Sequence, residues 1–342
     1  MVKFRIGRKE SRDGTDSHRK SSPWMWRITG LILAVVVFFM VGPEVKIDTT
    51  IHPMNLPENL DDYLKTSENR FSDIIPGTEK TILWAGEQGA QTELGIVYVH
   101  GFSATRQETA PLCDVVARTL RANLFYTRLN GHGRTGEALA EANVNAWLND
   151  AVEAFEIGRR IGRRVILVGT STGGTALTWL VDWAAENGRA DTIAALILIS
   201  PNYGVADPTA VVLTLPWGGQ IAELFVGKER HWEAENELQE KFWTNRYPTR
   251  GLLPMMGLVN LVNGIDLSGI TSPVQVFYSP EDQVVSVAKI EQAFAAFGSS
   301  RKQLVPVTDT TSESRHVLAG DILSPGTTIP IAEKILRFIS LQ

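Results

Sequence analysis

Val165-Ile166-Leu167-Val168-Gly169-Thr170-Ser171-Thr172-Gly173-Gly174 is a β-branched apolar run that delivers a serine into a turn with glycines two residues to either side. A strand that turns abruptly into a helix needs this spacing. The close approach leaves no room for side chains at the flanking positions, and the residue between them is held in a strained backbone conformation. The pattern therefore predicts a Ser171 hydroxyl standing above a sheet. A helix over about Gly174–Ala185 would aim its N-terminal amides at the same spot, where they stabilise negative charge. Taken alone, five residues at this spacing are a modest signal, because glycine-rich turns after strands are common. Three further stretches decide it.

Upstream, Leu94-Gly95-Ile96-Val97-Tyr98-Val99 reads as a buried strand running into His100-Gly101-Phe102-Ser103-Ala104-Thr105. Such a loop supplies one of the two backbone N–H donors that a tetrahedral oxyanion needs, and the residue after the serine supplies the other, so Phe102 and Thr172 are the candidate oxyanion-hole residues. His100, next to a glycine at a strand end, reads as a hydrogen-bonding residue that holds the loop and not as a base. Downstream, the strand Pro273–Tyr278 runs into Ser279-Pro280-Glu281-Asp282-Gln283. Asp282 is the candidate acid that orients a histidine, with Glu281 in reserve; its bland role would be to cap a helix beginning near Ser286. Of the six histidines, His316, in Ser314-Arg315-His316-Val317-Leu318, alone completes the order serine, aspartate, histidine. Ser171, Asp282 and His316 are the candidate catalytic residues, a set suited to nucleophilic acyl transfer.

With these residues in view, the chain resembles the α/β-hydrolase superfamily, in particular its bacterial carboxylesterase and monoacylglycerol-lipase-like branch with a His-Gly-Phe oxyanion loop. The resemblance runs from about Glu79 to the C-terminus and includes Leu129-Asn130-Gly131-His132-Gly133, similar to that branch's Pro-x-Gly-His-Gly turn. Leu129 and Asn130 replace the usual small or proline residues, and Ser279 stands where glycine is frequent. The resemblance implies a serine hydrolase that cleaves carboxylic esters, lipid-like or of short to medium acyl length, through an acyl-enzyme. Peptidase, thioesterase and acyltransferase chemistry fit the same scaffold, and a membrane-tethered binding protein with an inactive hydrolase fold is the non-catalytic alternative.

Hydrophobic periodicity independently gives an α/β fold. Strand-like runs at Lys80–Ala85, Leu94–Val99, Asn123–Thr127, Val165–Val168, Ile193–Ile199, Val274–Tyr278 and Gln303–Val307 alternate with helix-like segments at Pro111–Leu120, Asn145–Ile161, Ala176–Glu186, Ser286–Phe297 and Thr328–Ile339. Alternation of this kind implies a mostly parallel sheet covered by helices on both faces. Residues 201–272 hold no clear strand and are too long for an ordinary connection, so they are expected to form a helical cap inserted after the sixth strand. Its runs Pro208–Val226, Glu229–Trp243 and Leu252–Val262 look helical. Trp217 and Phe225 are candidate substrate-binding residues, with Trp232, Trp243, Met255 and Met256 as further apolar lining or as the cap's own core.

The N-terminus is of another kind. Residues 1–23 carry Lys3, Arg5, Arg8, Lys9, Arg12, Arg19 and Lys20 against Glu10, Asp13 and Asp16, and 24–42 form an apolar segment interrupted by Arg27. From Trp24 to Gly42 a helix would reach ~28 Å, close to a ~30 Å hydrocarbon core if Arg27 snorkels, which suggests a single transmembrane anchor with the hydrolase domain outside the cytoplasmic membrane, in the periplasm. Secretion after signal cleavage is the alternative. Residues 43–78 read as a loosely packed linker and 79–342 as the hydrolase domain. With 44 % hydrophobic residues among 342 and a net charge of -5, the chain has material for one large core and no basic excess suited to nucleic acid. The single cysteine, Cys113, has no intrachain disulfide partner and sits in an apolar helix, as an inert thiol does. No metal-ligand cluster or phosphate-binding loop is apparent, so no cofactor is expected.

Overall fold

The computed structural model describes residues 23–340. The basic segment before residue 23 lies outside them. Seven strands form one sheet: β1 (Thr81–Leu83), β2 (Thr92–Val99), β3 (Asn123–Tyr126), β4 (Gly162–Thr170), β5 (Ile193–Ile199), then β8 (Val274–Tyr278) and β9 (Lys302–Pro306), with β6 (Glu229–His231) and β7 (Arg246–Pro248) paired separately in the cap. Their order is β1-β3-β2-β4-β5-β8-β9, parallel throughout except for β1, which runs antiparallel to β3. Each inner strand is apolar on both sides. Val97, Val165, Leu167 and Leu196 join one buried cluster with helices Val144–Ile161 and Thr172–Glu186, while Ile96, Ile166, Val168 and Ile197 join another with Leu112–Leu120 and Pro325–Ser340. This period-two division is what a sheet covered on both faces requires.

Chain direction reverses at β2. From β2 the chain leaves to β3 on one side and returns to β4 on the other, so the C-terminal ends of β2 and β4 are neighbours, in register at Val99 and Gly169. Crevices at such switch points are where open α/β sheets place their ligands.

Five expectations change. The cap follows β5, the fifth strand of the sheet, and not a sixth. Glu229–Trp243 is not one amphipathic helix: Glu229–His231 pairs with Arg246–Pro248 as a small hairpin, and only Glu237–Phe242 is helical, started by Asn236, whose side chain accepts from the Leu238 and Gln239 amides. Met255 and Met256 are buried in the main core on helix Leu252–Asn263, and Met256 also borders a surface cavity with Tyr203, Pro208 and Val259, away from Ser171 and His316. The span 43–78 is more than a linker. It holds helix Leu60–Glu68, capped by Asn59, which buries Leu60 and Leu64 and places Glu68 in a two-pronged ion pair with buried Arg128, 2.8 Å at each contact. The transmembrane anchor is not borne out: the apolar helix runs Pro23–Met40, its uncharged part after Arg27 extends only ~20 Å at 1.5 Å per residue, and among the described residues no helix is long and apolar enough to cross a membrane.

Burial pushes the Glu68 carboxyl up, but the hydrogen bonds and charge of Arg128, helped by the Lys80 amide and ammonium, outweigh it and hold it below its usual 4.5. A depressed folded value means that this stabilisation is present above pH 4.5 and is lost as pH falls through the folded value. Glu68→Ala leaves the Arg128 guanidinium buried and unpaired, and is expected to cost ~3–5 kcal/mol in urea unfolding at pH 7, with the gap to the native chain narrowing below pH 4.5. An unchanged midpoint at pH 7 would show that the pair contributes nothing.

Candidate active site

Ser171 ends β4 with φ 50° and ψ -120°, a region a non-glycine residue occupies only under constraint. Its amide donates to Ile199 at 2.9 Å and its carbonyl accepts from Asn202 and Thr175, each at 3.1 Å. The constraint is clearest at Gly173, where an added Cβ would stand 2.1 Å from the Val99 carbonyl oxygen and 2.5 Å from that of His100. Helix Thr172–Glu186 thus starts directly against the end of β2, with Ser171 as its N-cap. Thr172, the first helical residue, has no carbonyl within the helix for its amide to reach, which leaves that N–H for an oxyanion.

The facing loop is held on several sides. His100 lies in the interior, its Nε2 accepting the Leu129 amide at 3.0 Å, so its Nδ1 carries the proton and donates to the Gly101 carbonyl at 2.9 Å. Burial pulls its pKa down to about 4, leaving a neutral ring. This is the loop-holding role expected for His100. Its neighbour His132 packs 4.9 Å away, ring to ring, and burial lowers it as well. The Phe102 ring sits edge-on to His132, Trp147 and, from the cap, Tyr247 at 5.5 Å. Ser103, with φ 60°, accepts the Thr244 amide of the cap at 2.7 Å.

Asp282 and His316 meet as the sequence order suggested. His316 Nδ1 lies 2.8 Å from Asp282 Oδ2, while Asp282 Oδ1 accepts the Val284 and Val285 amides at 2.8 and 2.9 Å. Both oxygens of the carboxylate are therefore engaged, and the imidazole is fixed with its proton on Nδ1. The helix after this loop is capped by Ser286, so the bland capping role for Asp282 does not apply, and Glu281 points outward toward Arg315. Burial pulls the His316 pKa down, but the charge and hydrogen bond of Asp282, together with the charge of Glu108, outweigh it and leave it above the ordinary 6.5. Ser200, at the end of β5, holds the His316 carbonyl with its hydroxyl at 2.8 Å. Ser171, Asp282 and His316 are 7 %, 9 % and 9 % exposed, so the site lies beneath covering structure.

The two aromatic candidates of the cap fare differently from the triad. Phe225 is 80 % exposed on helix Gly218–Val226, so it lines no enclosed pocket here, and Trp217 is that helix's left-handed N-cap, its amide donating to Pro43 at 2.9 Å. Two other aromatic residues of the cap, Trp243 and Tyr247, lie nearer the triad loops. Trp243 packs with Ala104 of the oxyanion loop and Val317 beside the histidine, and Tyr247 with Phe102. Their proximity follows from the β6–β7 hairpin, which periodicity does not reveal. Glu108, Tyr98 and Ser200 also escaped the sequence, since an isolated acid or hydroxyl in a loop or strand carries no spacing signal. Cys113 is buried, and burial keeps its thiol protonated. Among the described residues no group of histidine, cysteine and acidic side chains could hold a metal ion.

A doubly covered parallel sheet with a serine elbow at its switch point and an Asp–His pair on neighbouring loops defines an α/β-hydrolase. The family model described as serine aminopeptidase, S33, matches residues 90–318, and the chain belongs to that family. It is 23 % identical over 249 residues to the thermostable monoacylglycerol lipase of Bacillus sp. (strain H-257), covering 72 % of this chain and 90 % of that one. Among solved structures it is similar to a metagenome-derived lipolytic enzyme (TM-score 0.64, 20 % identity, 79 % of this chain and all of that one). It is also similar to a soluble variant of the monoglyceride lipase of Saccharomyces cerevisiae (TM-score 0.57, 13 % identity, 77 % of this chain and 90 % of that one). The solved structures support the fold.

Gly173→Ala forces a methyl group into the Val99 and His100 carbonyls, neither of which can withdraw without breaking the sheet end. The substitution is expected to destabilise by ~1–3 kcal/mol or more in chemical unfolding, and to reduce reaction of Ser171 with an organophosphorus probe in the fraction that remains folded. Native stability in that variant would mean that the close approach does not constrain the elbow.

Proposed function

We propose that the chain is a serine hydrolase of carboxylic esters, acting on lipid-like or short-to-medium acyl chains. The observation that carries the reading is the 2.8 Å contact between Asp282 and the Nδ1 of His316, in a chain that also holds a strained serine elbow at Ser171. In the proposed reaction His316 takes the Ser171 proton as Oγ bonds to the acyl carbon. The Phe102 and Thr172 amides stabilise the oxyanion, and the alcohol leaves with the proton from His316. Water, deprotonated by the same ring, then releases the acid and restores the serine. Asp282 stabilises the imidazolium in both halves.

An apolar acyl group suits the aromatic side chains that the cap turns toward Phe102 and Val317, namely Tyr247 and Trp243. The description of the matching family model supports a second reading, an aminopeptidase. Comparing p-nitrophenyl esters of increasing acyl length with aminoacyl anilides separates the two. The proposal also places the domain in the periplasm, reached by export, on the support of the basic excess before the Pro23–Met40 helix. Cell fractionation that finds the chain in the cytoplasm would overturn that placement.

Ser171→Ala is expected to lower turnover of a p-nitrophenyl ester by about 10³-fold or more at unchanged unfolding midpoint. A fluorophosphonate should add to Ser171, by peptide mass, and not to His316→Ala. Because the base must be neutral and its partners raise its pKa, the acid limb of kcat/KM should inflect above pH 6.5. Normal turnover without the hydroxyl sinks the proposal.

A further inference from the structure

The carboxyl group of Glu108 is 3 % exposed and has no part in the triad or the oxyanion hole. It ends the short turn Arg106–Glu108, which Thr105 caps immediately after the oxyanion loop. Its Oε1 accepts two donors from two elements: the Gly101 amide at 2.6 Å and the Tyr98 hydroxyl, from β2, at 2.7 Å. The Tyr98 oxygen in turn lies 3.0 Å from the hydroxyl of Thr170, the residue before Ser171. Oε2 faces the same place from the other side, since a Cβ built on Gly101 would stand 3.0 Å from it and 3.1 Å from the Ser171 Cβ. The backbone carbonyl of Glu108 presses on Gly320, where a Cβ would come within 2.4 Å, on the stretch that follows His316. One buried acid thus bonds the oxyanion loop, lies beside the serine elbow and abuts the stretch after His316.

The geometry bears on the amide assigned to the oxyanion. The Phe102 N–H shares a peptide plane with the Gly101 carbonyl, which is held by His100 Nδ1 at 2.9 Å and by the Ala104 amide at 3.3 Å. Glycine does not choose its own dihedrals, so the plane's direction depends on what holds each side of Gly101. His100 holds the carbonyl side and Glu108 the amide side. Burial pushes the Glu108 carboxyl up to about 7, against the lowering effect of its two donors and of His316. A group partly protonated at neutral pH serves Gly101 by its lone pair more than by its charge.

We propose that Glu108 is a positioning residue: by holding the Gly101 amide and the Tyr98 hydroxyl on one oxygen, it aims the Phe102 N–H and, through the contact of Tyr98 with Thr170, ties the oxyanion loop to the strand that leads to Ser171. This inference rests on the acyl-enzyme reading of Ser171. Oxyanion stabilisation is realised in the transition state and little in the bound ester, so a misaimed donor lowers kcat and leaves KM nearly alone.

The test is steady-state hydrolysis of a p-nitrophenyl ester by the full chain and its Glu108→Ala, Glu108→Gln and Tyr98→Phe variants. Glu108→Ala should lose about tenfold or more in kcat with KM within about twofold. Glu108→Gln, whose amide oxygen accepts the same two bonds, should recover most of it, and Tyr98→Phe should fall between. A kcat for Glu108→Ala within about twofold of the parent, a loss that appears in KM alone, or a Gln variant no better than Ala overturns the proposal. If Glu108→Ala does not fold, Tyr98→Phe decides: a several-fold drop in kcat at constant KM supports the proposal, and an unchanged kcat overturns it. Fluorophosphonate labelling of the parent separates the two levels. No adduct on the folded parent removes the acyl-enzyme reading itself, whereas an adduct with an indifferent Glu108→Ala removes only the positioning role.

Discussion

The helix that follows Ser171 begins in contact with the backbone of β2, and the missing side chain of Gly173 is what permits it. Everything at the site is measured from that contact. It goes with a positive-φ serine, and it starts helix Thr172–Glu186 against the end of β2, where the His100–Gly101 loop begins. The neighbouring register of Val99 and Gly169 brings two segments seventy residues apart in sequence to one crevice. β5 and β8 then add Ser200, which holds the His316 carbonyl, and the loop with Asp282, so the histidine is fixed from its backbone and from its ring.

Desolvation acts on His100, His132, His316 and Glu108, and the outcome depends on the partners each one has. His100 and His132 have only backbone partners and lie near the positive charge of Arg128, so burial wins and both stay neutral. His316 faces two acids and is raised. Glu68 is buried as well, but a bidentate guanidinium reverses the sign of its shift, whereas Glu108, offered only an amide and a phenol, remains shifted upward. A loop-holding histidine and a candidate base thus differ by the carboxylates that reach them.

The sheet and the catalytic order were legible because both are local signals: a period-two apolar run marks each strand, and a strand end followed by glycine, aspartate or histidine marks each loop. Helix Val144–Ile161 appeared within a residue of its expected start because Asn143 caps it and its apolar stripe is regular. The cap was not legible to the same degree. Pairing of Glu229–His231 with Arg246–Pro248 depends on contacts made across the chain and not on composition, and large aromatic residues such as Phe225 look alike in sequence whether they end exposed or buried. Glu68 and Glu108 escaped for a related reason. An acid is read as a surface residue until its buried donors are known, and those donors, Arg128, Tyr98 and Gly101, come from other elements.

The cap and the catalytic loops are joined by direct bonds. Thr244 donates its amide to Ser103, Glu235 accepts the Glu313 amide at 3.2 Å, and Asn236 donates to the Ile322 carbonyl at 3.0 Å. The half of the cap around Trp243 therefore belongs mechanically to the loops bearing Phe102 and His316. On the proposed ester reading, exchanging caps between relatives to alter acyl preference would alter turnover as well, unless the graft keeps residues 235–247 in place and varies the part before them, and selectivity and rate would be separable only along that seam.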